Sequence, residues 1–216
     1  MRTLRKVDYF LVIFCLVIFL YTTSFKSIDK KEYVVVPVFI GLLLPFEINS
    51  EIATNIEYYS KLYSDKEMIR QEIAKAIIEK AIKHNIPVNL AFSLAYAESS
   101  YNVRSMNYEN ANGTFDFGLF QLNSQYFEYN KKNMEFAVNA DKALEFLFDL
   151  YARYGSYDLA LIHYNAGKIQ RFNPLTERHL KRIWEKEKEL NEWFNEIFRD
   201  KISRNSYKSE VLTKSE

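Results

Sequence analysis

Residues Leu90–Ser124 read LAFSLAYAESSYNVRSMNYENANGTFDFGLFQLNS. An apolar, small-residue run ends on a carboxylate, Glu98. A polar loop rich in Asn follows, then the short apolar stretch Phe117–Asn123. Leu90, Leu94 and Ala97 recur at helical spacing, and Ala91 and Ala95 allow a close helix neighbour. This spacing predicts a helix over Val88–Ser99 that closes on Glu98. The loop Asn102–Asp116 turns at Gly113, and a small hairpin fits the Asn110–Leu122 region. A carboxyl group withdrawn from water holds its proton to higher pH. An acid at the end of an apolar helix therefore suits proton donation, whereas a Glu at a helix end is, taken alone, more often a solvated surface residue.

Upstream, SDKE at Ser64–Glu67 has the form of a capping box, predicting a helix from Ser64. Ile69, Ile73 and Ile77, with Ile78 and Ile82, give it an apolar face ending near His84. Asn85-Ile86-Pro87 then breaks it. Downstream, Ala140, Ala143, Leu144, Leu147, Leu150, Tyr151 and Tyr154 share one stripe from about Asn139, with Gly155 as the stop. Asp158–Tyr164 forms a short helix running into Asn165-Ala166-Gly167. Thr176–Arg199 is a long charged helix with Leu180, Ile183, Trp184, Trp193, Phe194 and Ile197 on one face. The chain has only 5 Gly and 4 Pro among 216 residues, which favours helices over a turn-rich β fold. The fold class is mainly α.

Composition narrows the chemistry. Lys+Arg 29 against Asp+Glu 28 gives a net charge of +1, and no basic run marks a nucleic-acid footprint. Cys15 is the single cysteine, so neither an intramolecular disulfide nor a Cys-based metal cluster can form. His84, His163 and His179 lack zinc-site spacing. No metal or cofactor is expected.

The first 25 residues form a targeting segment. Arg2, Arg5 and Lys6 precede the apolar run Tyr9–Tyr21, the pattern of a signal peptide or N-terminal membrane anchor. It places the rest of the chain outside the cytoplasm, in the periplasm or cell envelope, free or tethered to the inner membrane. Residues 26–63 read as an apolar, irregular linker, because Pro37, Gly41 and Pro45 punctuate Tyr33–Ile48. The catalytic domain is expected over 64–200 and a disordered tail over 201–216.

Three short motifs now stand in order: Glu98-Ser99, Gly118-Leu119-Phe120-Gln121 and Tyr164-Asn165-Ala166-Gly167. In this order they resemble the E-S, G-L-M-Q and A-Y-N-A-G motifs of the lysozyme-like lytic transglycosylases, over about Glu67–Trp184. Phe120 replaces the usual Met, and His163 stands where Ala is usual. The fuller loop pattern, from Asn102 through N-G-T-x-D-x-G-L-F-Q-L-N-S, resembles transglycosylases that accompany secretion and pilus systems. It is also similar to animal-type lysozymes.

The resemblance implies a lysozyme-like α+β domain with a glycan-binding cleft. It implies cleavage of the β-1,4 bond between N-acetylmuramic acid and N-acetylglucosamine in peptidoglycan. Glu98 would act first as acid and then as base, leaving 1,6-anhydro ends. Ser99, Gly118, Gln121, Tyr164 and Asn165 would bind substrate or shape the cleft. Tyr101, Phe117 and Tyr126 are candidates for stacking on sugar faces. Asp116 is the candidate second carboxylate. As nucleophile or charge stabiliser it would make the chain a retaining hydrolase, whereas as an Asx brace of the Gly113 turn it would be structural. A third reading is a non-catalytic glycan-binding scaffold of an envelope machine. Partners implied are glycan strands and a secretion, pilus or flagellar assembly.

Overall fold

The computed structural model describes residues 48–108, 110, 112–169 and 172–213, with side chains to residue 198. The targeting segment and residues 33–47 lie outside these. Residues 48–54 are helical and are followed by α1 (Ile56–Glu67), α2 (Gln71–Lys83) and α3 (Val88–Ser99). Three short strands come next: β1 (Met106–Asn107), β2 (Asp116–Phe117) and β3 (Leu122–Asn123). Then follow α4 (Lys131–Met134), α5 (Phe136–Tyr154), α6 (Tyr157–Ala166) and α7 (Pro174–Thr213). The strands pair antiparallel in the order β1-β2-β3. This is the mainly helical, lysozyme-like α+β architecture. Among the described residues no helix is long and apolar enough to cross a membrane.

Helix α3 is the axis of the core. Every residue from Val88 to Ala95 is buried, so the helix is enclosed all round rather than on one stripe, with Asn89 and Ser93 its buried polar residues. Leu90, Phe92 and Leu94 are fully enclosed, and burial of each contributes about 2 kcal/mol. Ala91 and Ala95 are also fully enclosed, and α7 packs closely on this helix. Enlarging either alanine would overpack the site, at about 1–3 kcal/mol. The N-terminal end of α3 is fixed by Asn49. Its side chain accepts from the Val88 amide at 2.9 Å and donates to the Ile86 carbonyl at 2.8 Å. Buried Asn89 accepts from the Tyr63 hydroxyl and donates to Asn191 at 2.6 Å, tying α1 and α7 to the same helix.

The domain begins earlier than the sequence pattern suggests. Residues 48–63, read as irregular linker, are helical, and Ile48, Ile52, Tyr59 and Tyr63 are buried in the core. Ser64 and Glu67 end α1 instead of starting a helix. The N-cap of α1 is Asn55, which accepts from the Tyr58 amide at 3.1 Å, and Met68 closes the helix in the left-handed conformation. The Ser64 hydroxyl donates to the Ile69 carbonyl at 2.6 Å, a C-terminal bond, so the S-x-x-E pattern serves the wrong end for a capping box. At the far end α7 continues through Thr213, past the expected stop at Arg199. The stretch from Lys201 holds no Gly or Pro to end it. Tyr151, placed on the apolar stripe of α5, is 37% exposed and stacks on Tyr157 at a ring separation of 4.2 Å.

Candidate active site

A cleft of about 470 Å³ opens between the end of α3, the sheet lobe and α6. Amide and hydroxyl groups of Asn110, Asn112, Thr114, Gln121, Asn123 and Gln125 line one part of it. Phe127, Phe146 and Tyr126 supply aromatic surface. Phe146 lies 5.9 Å from Phe127 and 5.7 Å from Tyr164, ring centre to ring centre, and Tyr126 is 63% exposed at the rim. Planar amides beside aromatic faces fit a sugar, which offers hydroxyls at its edges and C–H groups on its faces.

Glu98 lines this cleft, and its side chain is only 11% exposed. Its Oε1 atom is fully buried without a hydrogen-bond partner. His179 of α7 stands beside it, with Nε2 3.2 Å from Oε1. That pair lacks the alignment of a hydrogen bond, so Nε2 is also buried and unpartnered. The α3 terminus itself is well satisfied. Arg182 donates to the Tyr96 carbonyl at 3.1 Å, the Ala97 carbonyl at 3.3 Å and the Ser100 hydroxyl at 3.0 Å. Its guanidinium also lies 4.6 Å from the Tyr96 ring centre. A cation at the carbonyl end of a helix is favourable, and here it anchors α7 beside Glu98.

Asp116 lines the same cleft under different conditions. The strand register sets Asn107 and Asn123 directly opposite it on the two neighbouring strands. Asn107 and Asn110 donate to Oδ2 at 3.2 and 3.0 Å, and Asn123 donates to Oδ1 at 2.7 Å. Asn123 also donates to Thr114, whose hydroxyl donates to Asn112. The N-G-T-x-D pattern is therefore a hydrogen-bonded net with Asp116 as its central acceptor.

The Gly118–Gln121 turn is pinned from three helices. Ser99 of α3 donates to the Leu119 carbonyl at 2.7 Å. Asn139 of α5 accepts from the Phe120 amide at 2.8 Å. Tyr164 of α6 donates to the Phe120 carbonyl at 2.8 Å. Leu119 and Phe120 are fully buried beneath. Gly118 has φ +83°, and a Cβ there would stand 2.3 Å from Asn139 Nδ2, so no side chain fits. Gln121 adopts φ +48° and donates Nε2 to the Gly118 and Ser105 carbonyls at 2.8 and 3.2 Å.

Of the residues singled out in the sequence, Glu98, Asp116, Gln121, Tyr164 and Asn165 meet in the cleft. Ser99 and Gly118 stand outside its lining and brace the turn. The Tyr164 hydroxyl is spent on Phe120. Burial, then the negative charges of Glu98 and Asp116, push this phenol well above its usual range, so it stays protonated. Asn165 is exposed on the cleft. Of the three stacking candidates only Tyr126 is on the cleft. Phe117 is fully buried, and Tyr101 is buried with its hydroxyl 2.7 Å from Glu67. His163 does line the cleft. Its Nδ1 pairs with the Tyr154 hydroxyl at 2.7 Å, and burial, then Arg153, keeps its pKa low. Among the described residues no group of three or more His, Cys, Asp or Glu could hold a metal ion.

Sequence reasoning missed His179, Arg182 and Asn139. The first two come from a distant helix with no local signal. Asn139 was visible only as a polar residue at the start of an apolar stripe.

The transglycosylase SLT domain family matches residues 75–186, a span containing Glu98, the sheet lobe, α5, α6 and His179. Lysozyme C of Equus asinus is 47% identical over 47 residues, covering 21% of this chain and 36% of that protein. Lysozyme-like protein 6 of Homo sapiens is 58% identical over 33 residues, covering 15% and 22%. Lysozyme C of Oryctolagus cuniculus is 38% identical over 73 residues, covering 33% and 55%. The chain thus spans between about a fifth and about half the length of these relatives. No solved structure matches at a comparable level. With the domain match covering more than half of its length, the chain belongs to the transglycosylase SLT domain family.

Proposed function

We propose that the chain is a peptidoglycan lytic transglycosylase. It cleaves the β-1,4 bond between N-acetylmuramic acid and N-acetylglucosamine without consuming water. One observation carries the reading of Glu98 as the acid: of the two carboxylates in the cleft, Glu98 has the buried oxygen without a hydrogen bond, whereas three amides hold Asp116. The Tyr164-Asn165-Ala166-Gly167 segment on the same cleft supports the transglycosylase over a hydrolase.

A single acid suffices for this reaction. Protonated Glu98 gives its proton to the glycosidic oxygen as the C1–O bond breaks. The muramic acid C6 hydroxyl attacks C1, and the Glu98 carboxylate takes the hydroxyl proton. The product carries a 1,6-anhydro ring, and Glu98 returns to its acid form. The acetamido group of the substrate stabilises the positive charge at C1.

A second reading is a retaining hydrolase in which Asp116 joins Glu98. It is favoured by the presence of both carboxylates on one cleft and by the names of the lysozyme relatives. Mass spectrometry of soluble fragments separates the two. Anhydro ends support the transglycosylase, while reducing muramic ends that take up ¹⁸O from labelled water support the hydrolase. Fragments from wild type and none from Glu98→Gln would also dispose of a non-catalytic scaffold role. The basic and apolar N-terminus supports export to the cell envelope, with or without a retained anchor. The loop pattern supports service to a secretion, pilus or flagellar assembly.

A further inference from the structure

We propose that His179 is the positioning residue for Glu98: its imidazole carries a proton on Nε2 and through it donates a hydrogen bond to Glu98 Oε1. The inference rests on the reading of Glu98 as the reacting acid. The two oxygens of Glu98 occupy different settings. Oε1 is buried beside His179 Nε2, and Glu98 lines the cleft, so the other oxygen, Oε2, is assigned to the cleft. Both Oε1 and His179 Nε2 lack any other partner, and a buried polar group without one is unfavourable. They stand 3.2 Å apart, short of good alignment. Catalytic hydrogen bonds are often loose in the free enzyme and tighten when substrate is bound.

The register of α7 favours this pairing. His179 and Arg182 are three residues apart, hence on one face of the helix. Arg182 grips the last turn of α3 through Tyr96, Ala97 and Ser100. That grip fixes where His179 falls, one turn earlier, beside Glu98. The other titratable groups around the pair are engaged. Tyr164 of α6 donates to Phe120, His163 of α6 pairs with Tyr154, and Asp116 of β2 is held by asparagine amides. Arg182 of α7 is committed to α3. His179 is the group at ion-pair distance from Glu98 among the described residues.

The arrangement has a chemical consequence. With Oε1 accepting from Nε2, the acid proton resides on Oε2, where the glycosidic oxygen can take it. As the proton leaves, charge develops on the carboxylate and the Nε2–H bond becomes charge-assisted and stronger. The interaction grows towards the transition state, so it acts on kcat rather than on KM.

The test compares His179→Phe, which removes the donor, with His179→Gln, which restores an N–H. For Phe, kcat on purified peptidoglycan is expected to fall about 10²-fold with KM nearly unchanged. Loss of a donor to the charged carboxylate also moves the alkaline limb of the pH profile to higher pH. Gln returns both towards wild type. An unaffected kcat, or a lower kcat with an unmoved limb, overturns the proposal, because a merely structural histidine leaves the limb in place. Imidazole ¹⁵N NMR on the folded wild type at alkaline pH gives a readout that needs no activity. The His179 signal is assigned by its loss in His179→Gln, and it should show the Nε2–H tautomer. An Nδ1–H tautomer overturns the proposal whether or not the protein cuts glycan, whereas absent cleavage by a protein showing Nε2–H would count against the transglycosylase reading instead.

Discussion

On the helical side of the cleft, Glu98 keeps Oε1 buried without a hydrogen bond; on the sheet side, Asp116 has both oxygens taken by three asparagine amides. The two are the same chemical group on the same cleft. Their surroundings differ because their supports differ. Glu98 ends a buried, largely apolar helix whose Tyr96 and Ala97 carbonyls already accept from Arg182. Asp116 sits mid-sheet between two asparagines that the strand register sets opposite it. A carboxylate saturated with donors organises its neighbours, while one left short of partners can exchange a proton with a substrate. The contrast shows why a count of acids in a cleft does not by itself tell one mechanism from another.

This contrast can be broken in several places. The largest effect is expected from Glu98→Gln, which keeps the shape and removes the proton. Muropeptide release should fall at least about 10³-fold, about 4 kcal/mol of barrier, with Tm nearly unchanged. Next comes Gly118→Ala, which drives a Cβ into Asn139 and strains a left-handed backbone. It should cost about 3 kcal/mol of stability in urea unfolding, because the turn that joins the two sides of the cleft cannot seat. Tyr164→Phe removes the bond to the Phe120 carbonyl and should cost about 1–2 kcal/mol, with loss of activity tracking loss of stability.

The smallest effect concerns Glu187, a half-buried carboxyl of α7 away from the cleft. Desolvation raises it from 4.5 to about 7. The folded state therefore binds the extra proton between about pH 4.5 and 7, so stability falls as pH rises through that window and stays reduced above it. Glu187→Gln should be neutral at pH 4 and should gain roughly 1 kcal/mol, about 3 °C in Tm, at pH 8. It should leave activity intact, which separates a desolvated carboxyl as such from one placed on a sugar cleft.

The parts of this account legible in the sequence are those set by local pattern. Helix α3 could be bounded from the Asn85-Ile86-Pro87 break and the apolar run, and it ends at Ser99 as expected. The hairpin region and Gly155 as the stop of α5 followed from turn residues and the apolar stripe, and the meeting of Glu98, Asp116, Gln121, Tyr164 and Asn165 from the ordered motifs. What local pattern could not give is what tertiary packing decides. Ser64-x-x-Glu67 fits either end of a helix, and only the Asn55 cap and the burial of Tyr59 and Tyr63 show which. Ser99 and Gly118 belong to the motifs yet act behind the cleft, because the turn they hold must be fastened from below. His179 carries no signal in its own neighbourhood. Its place beside Glu98 depends on how α7 lies along α3.

The most direct test of the central claim is to digest purified peptidoglycan with wild type, Glu98→Gln and Asp116→Asn, and to identify the released muropeptides by mass spectrometry beside a melting curve for each. The account predicts anhydro-ended fragments from wild type and none from Glu98→Gln. From Asp116→Asn it predicts the same anhydro products at about a tenth of the rate, with a lowered Tm from the disturbed amide net. A folded Asp116→Asn that releases nothing, or reducing ends from the wild type, would contradict it.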